Sequence, residues 1–140
     1  MTVEQFLNQT FSIQEEIDKI SRNIEALRDL ATSDTAVLSD TPRAPSPSTS
    51  RMADIVVEIA DLEREKNALE ERLLKARRDI ITAARQLNNN ENAVVLERYV
   101  HLLSWEEISE KLGYSSRQIR RLRQTAIAQI QVPTTGKVKK

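Results

Sequence analysis

Arg117, Arg121 and Gln124, with Arg120 to one side, fall on one face of a helical stretch at about 100° per residue. These residue types suit one kind of chemistry. A guanidinium or a primary amide can make paired hydrogen bonds to the guanine and adenine edges exposed in a DNA major groove. Ser115 and Ser116 stand at the start of the same stretch, where the free N–H groups of a first helical turn suit a phosphate. Arg123 lies at the flank of the opposite, apolar stripe, so its expected role is a phosphate contact or a structural ion pair and not base reading. The candidate DNA-binding set is therefore Ser115, Ser116, Arg117, Arg120, Arg121 and Gln124. A solvated basic helix face is the plainer alternative.

The elements that must hold this set are legible in residues 104–130, SWEEISEKLGYSSRQIRRLRQTAIAQI. Ser104 can cap a first helix with Glu107 reaching back to it, a capping box. Trp105, Ile108 and Leu112 share one face. Gly113 ends that helix where a left-handed residue is needed, which glycine adopts at little cost. Ser115 then caps a second helix, expected over 116–131, with Gln118 completing a second capping box. Ile119, Leu122, Ala126 and Ile130 form the stripe that packs back on the first helix. Two capped helices joined by a glycine turn, the second rich in arginine, make a helix-turn-helix of the kind that lays its second helix in the major groove.

Charge is laid out in the same sense. Residues 1–110 hold 13 basic and 21 acidic side chains, whereas residues 111–140 hold 8 basic and no acidic ones. The formal net charge of zero thus conceals a dipolar chain whose basic end attracts phosphate whatever the DNA sequence.

The stretch SWEEISEKLGYSSRQIRRLRQTAI resembles the C-terminal, promoter-reading helix-turn-helix of bacterial sigma factors, the region four type. Ser104, Trp105, Glu106, Glu107 and Ile108 match the opening of that pattern, Leu112 and Gly113 its turn, and Ile119, Arg120 and Leu122 its recognition helix. The preceding LERYV, residues 96–100, resembles the helix before the motif. Ser116 and Arg117 depart from it, since the family usually has a basic residue and an acid there. That departure argues against reading of the standard upstream promoter element. Ser109 replaces a common alanine and is small enough for the helix–helix contact. The chain as a whole is similar to small phage-encoded proteins with a coiled N-terminal half, some of them grouped with late-gene regulators of the RinA and ArpU type. The resemblance is specific over about residues 94–130 and general over 1–90. It implies a phage or prophage origin and a role in transcription regulation.

The N-terminal half supplies a different pattern. Positions 3, 6, 10, 13, 17, 20, 24, 27 and 31 are apolar except Thr10, and a second series from Met52 to Leu87 is apolar except Lys66. Steps of three and four make each a heptad seam. Lys66 either fixes register or packs its stem and extends its ammonium to water. Residues 32–50, with three prolines, read as a flexible linker. The expected fold is all-α, a long antiparallel, coiled-coil-like helical hairpin followed by a three-helix helix-turn-helix unit. The expected boundaries are 1–88 for the hairpin and dimerisation region, 91–131 for the DNA-binding domain and 132–140 for a disordered basic tail. The second long helix ends near Leu87, and a helix over 91–103 opens the C-terminal unit, with Tyr99 and Trp105 in its core. Leu7, Leu30, Val56, Leu74 and Ile81 flank the seams and widen the apolar stripe, which points to a homodimer.

Catalysis finds no support in the residues. His101 stands alone, the adjacent acids Glu70–Glu71 and Glu106–Glu107 diverge on their helices, and there is no nucleotide loop or nucleophile motif. No cysteine is present, no cofactor or metal is implied, and no apolar run approaches a membrane span or a signal peptide. The expected partners are double-stranded DNA and a second copy, possible host RNA polymerase contact being an additional one, and the expected place is the cytoplasm of a bacterial host cell. Three functions fit: a sequence-specific regulator, a DNA-packaging recognition protein like the small terminase subunits, and a polymerase-binding accessory factor.

Overall fold

The computed structural model describes residues 1–40 and 47–133, with side chains placed at 1–32 and 51–133. Among these the fold is all-α, with helices α1 (Val3–Asp40), α2 (Pro47–Ala83), α3 (Asn89–Val95), α4 (Trp105–Leu112) and α5 (Ser116–Gln129). α3 passes directly into a wider, π-helical turn over Leu96–Val100.

Both long helices run into the stretch expected to be linker. α1 continues to Asp40 and α2 begins at Pro47, so only 41–46 of the 32–50 span lies outside the described residues. No proline or glycine interrupts 32–40, and Thr32 Oγ1 donates to the Arg28 carbonyl at 3.0 Å without breaking the helix. Pro47 opens α2 at the one place in a helix where its missing N–H costs nothing. α2 also stops at Ala83, earlier than expected, and Ala84, Arg85 and Leu87 continue as hydrogen-bonded turns. The predicted tail from 134 onward falls outside the described residues.

The chain divides into two compact units, Gln14–Glu71 on the one hand and Met1–Ile13 with Arg72–Lys140 on the other. This differs from the expected division at residues 88–91. The physical reason lies in the core of the second unit. Val95, Tyr99, Val100, Ala126 and Ile130 are buried there together with Phe6 and Leu7 of α1 and Ile80, Ala84 and Leu87 of α2 and its following turn. A C-terminal piece of about 40 residues cannot cover such a core by itself. The long helices supply the cover. Leu7, expected only to flank a seam, is fully buried, and Thr10, the polar member of the seam, donates from Oγ1 to the Tyr99 carbonyl at 2.8 Å.

In the unit Gln14–Glu71, Ile17, Ile20 and Ile24 of α1 and Ile55 and Leu69 of α2 are buried, as heptad spacing requires. Arg28 Nη2 donates to Glu63 Oε2 at 2.7 Å, which joins the two helices side by side. Lys66 is half-buried. Leu30, Val56 and Val57 stay exposed.

Candidate nucleic-acid interface

α3 opens with Asn88 Oδ1 accepting from the Glu91 N–H. Glu91 is buried, and its carboxylate accepts from Gln129 Nε2 at 3.0 Å, which ties the start of α3 to the end of α5. The single helix expected over 91–103 does not persist. The His101 N–H donates to the Leu96 carbonyl, five residues back, and Leu102 adopts a left-handed φ of 61°. A leucine there costs about 1–2 kcal/mol. The loop is held by the Leu103 N–H donating to the Glu97 carbonyl at 3.0 Å and by Arg98 Nη1 donating to the Leu103 carbonyl at 2.9 Å.

α4 and α5 carry the caps that their sequences predict. The Ser104 N–H donates to Glu107 Oε1 at 2.8 Å and the Glu107 N–H donates to Ser104 Oγ at 3.1 Å. The Ser115 N–H donates to Gln118 Oε1 at 3.0 Å, and the Gln118 N–H donates to Ser115 Oγ at 3.2 Å. Between them Gly113 stands at φ 75°, with its N–H donating to the Ser109 carbonyl. Ser109 Oγ donates to the Tyr114 carbonyl, so its hydroxyl fastens the turn, and Tyr114 Oη donates to Asn90 Oδ1 at 2.7 Å. Ile108 of α4 and Ile119 of α5 are buried with Val94 of α3, and Trp105, Leu112 and Leu122 pack around them.

The apolar stripe of α5 faces inward through Ile119, Ala126 and Ile130. α5 ends at Gln129, two residues short of the expected end, and Ile130 is extended yet buried. Arg117, Arg120, Arg121 and Gln124 are exposed on α5, and so are Ser115 and Ser116 at its start. All six candidate residues therefore reach solvent. Arg117, Arg121 and Gln124 form one line along the helix at i, i+4 and i+7. Ser116, Arg120 and Arg123 form a second line beside it and border an open cleft of about 760 Å³.

No protein-family model matches the chain, nor does any curated protein or solved structure.

Arg123 is turned inward. Its Nε donates to Tyr99 Oη at 3.1 Å and its guanidinium stands 3.6 Å from the Glu4 carboxylate, so of its two expected roles the structural ion pair is the one present. Tyr99 is buried, but Trp105 is only half-buried and forms part of the cleft wall.

The centre of this arrangement is Arg98, which no sequence motif singles out. Its guanidinium carbon is 4.4 Å from the ring centre of Phe11 and 4.5 Å from that of Trp105. Tyr99 stands edge-on to both Phe11 and Trp105, at 6.2 and 6.5 Å. Burial pushes the Arg98 guanidinium below its ordinary pKa, an effect opposed by Tyr99 and Glu106 and reinforced by Arg123. An arginine beside Tyr99 in the LERYV run is the available signal. Nothing in the sequence pairs it with Phe11, 87 positions earlier.

Among the described residues no group of three or more histidine, cysteine, aspartate or glutamate side chains is placed to hold a metal ion, and His101 is exposed. No helix among them is long and apolar enough to cross a membrane.

Proposed function

We propose that the protein binds double-stranded DNA sequence-specifically, with α5 in the major groove, and acts as a phage or prophage transcription regulator in the cytoplasm of a bacterial host cell. The observation that carries the reading is the outward line of Arg117, Arg121 and Gln124 on a helix with no acid, set on its neighbour by a capped glycine turn. Side chains of this type and spacing suit bidentate bonds to base edges. Arg120, Ser115 and Ser116 lie beside that line and suit the backbone. The regulatory role rests on the sigma-like pattern of residues 94–130.

A second copy of the chain belongs to the same reading. Leu74 and Ile81 lie seven residues apart on α2 and are 56% and 41% exposed, and Leu30, Val56 and Val57 are exposed in the other unit. Apolar side chains at helical spacing with nothing over them favour a helical partner. Two copies would hold two α5 helices on the halves of an inverted repeat.

The test is retention of fragmented phage and host DNA by the full chain at physiological salt, followed by sequencing. A sharply enriched two-fold repeat upholds the reading. Diffuse retention assigns α5 to phosphate alone and turns the reading toward packaging or polymerase docking.

A further inference from the structure

Along the outer face of α2 charge changes sign at Leu74. Leu74 is exposed, and Ile81 repeats it seven residues on. At about 100° per residue, Glu70 and Arg77 fall on one flank of Leu74, and Glu71 and Arg78 fall on the other. Each flank thus carries an acid three or four residues before the leucine and a guanidinium three or four residues after it. These positions are consecutive turns of one helix, so their phase follows from helical geometry alone. The ion pairs of this part of α2 are Arg64 with Asp61 and Lys75 with Asp79, which leaves the four flanking charges unpaired among the described residues. Arg77 Nε is buried without a hydrogen-bond partner.

We infer that this face of α2 seats a second copy of the chain, antiparallel to the first, across a two-fold axis at Leu74. The inference rests on the second copy in the proposed function and fixes which face it uses and in which direction it runs. Two antiparallel helices that meet at Leu74 set each flank against the same flank of the other copy. Glu70 then faces the partner's Arg77, and Glu71 faces the partner's Arg78. The two-fold repeats both pairs, so four opposite-charge pairs surround the contact of Leu74 with its own copy. The other alignments fail on charge. Parallel helices in register set Glu70 against the partner's Glu71 and Arg77 against the partner's Arg78. An antiparallel seat centred between Leu74 and Ile81 brings the four guanidinium groups together. A face that is complementary to itself in one alignment only is what an isologous contact requires. The same axis relates the two α5 helices, which is the symmetry of an inverted repeat.

Sedimentation equilibrium of the full chain should give a dimer. Glu71→Arg and Arg78→Glu change exposed side chains that hold nothing in the fold, and each sets like charges together at two places in the dimer. Each variant alone should dimerise about tenfold more weakly at low salt. An equimolar mixture of the two should regain the parent's affinity, because both of these pairs are again opposite in sign. Direction is read by disulfide capture. The chain has no cysteine, so a mixture of Asn67→Cys and Ile81→Cys reports only the introduced thiols, both at exposed positions. The antiparallel seat joins position 67 to position 81, whereas a parallel one joins 67 to 67. A monomeric chain, or charge variants that associate like the parent, overturns the surface, and capture of 67 by 67 overturns the direction. A monomer that still enriches one DNA site sharply defeats the seat and spares base reading by α5. A dimer with the expected charge exchange but only diffuse DNA retention upholds the seat and defeats sequence-specific reading.

Discussion

Arg98 and Trp105 are held together across the loop that joins the π-helical turn to α4, with the guanidinium carbon 4.5 Å from the indole centre. The same guanidinium lies 4.4 Å from the Phe11 ring, so one side chain links α1 to the helix that precedes α5. A guanidinium between two rings gains cation–π attraction on each, and it also donates to the Leu103 carbonyl that closes the loop.

Replacement of Arg98 should therefore loosen the whole C-terminal unit. Arg98→Ala is expected to cost roughly 2–3 kcal/mol in urea unfolding, from lost stacking, lost packing and an orphaned carbonyl. Arg98→Lys should recover less than half of this, because an ammonium is not planar and cannot stack on two rings together. Full recovery by lysine would show that charge alone matters at this position.

The compact unit formed by Met1–Ile13 and Arg72–Lys140 sets a limit on truncation. A fragment of residues 91–131 should remain unfolded by circular dichroism, since the partners of Tyr99, Val100, Ala126 and Ile130 include Phe6, Leu7 and Ile80. Thr10→Val in the full chain should cost about 1–2 kcal/mol by leaving the Tyr99 carbonyl without its donor. Cooperative melting of the 91–131 fragment would show that α1 is an accessory to this unit and not part of it.

These two cases mark where sequence patterns stop being informative. Caps, the left-handed glycine and the inward stripe of α5 are local, so Ser104, Gly113, Ser115 and Ile119 announced them directly. Heptad spacing likewise marked Ile17, Ile20, Ile24 and Ile55 as buried. That spacing identifies a buried face but not its partner. Phe6 and Thr10 sit on a seam in phase with Ile17, yet they are buried in a different unit. Leu102 carried no signal either, because a leucine is among the last residues expected at φ 61°. The line of candidate residues on α5 was readable because exposure on a helix follows from the position of its apolar stripe. The inward turn of Arg123 depends on Tyr99 and Glu4, which only the fold brings near.

Gly113 offers a substitution whose cost comes from the backbone alone. A Cβ added there meets nothing within 4 Å, but the residue stands at φ 75°. Gly113→Ala should destabilise the protein by about 1–2 kcal/mol, and Gly113→Asn by less, since asparagine tolerates the left-handed region. Thermal unfolding of the two variants gives the order. Equal losses would mean that the turn can relax into another conformation.

The α5 arginines should separate into two classes when stability and DNA binding are measured side by side. Arg117 and Arg121 are exposed and hold nothing in place, so Arg117→Ala and Arg121→Ala should leave urea unfolding within about 0.5 kcal/mol of the parent. On an enriched DNA site each should cost about 1–3 kcal/mol, and the preference over scrambled DNA should shrink with it. Arg123→Ala should do the reverse at first sight. It removes the hydrogen bond to Tyr99 and the charge facing Glu4, so about 1 kcal/mol of stability goes with it. Its effect on cognate and scrambled DNA should be equal, because a side chain held against Tyr99 does not reach a base edge. Loss of discrimination in Arg123→Ala, with discrimination retained in Arg117→Ala and Arg121→Ala, would place the base-reading face on the other side of α5.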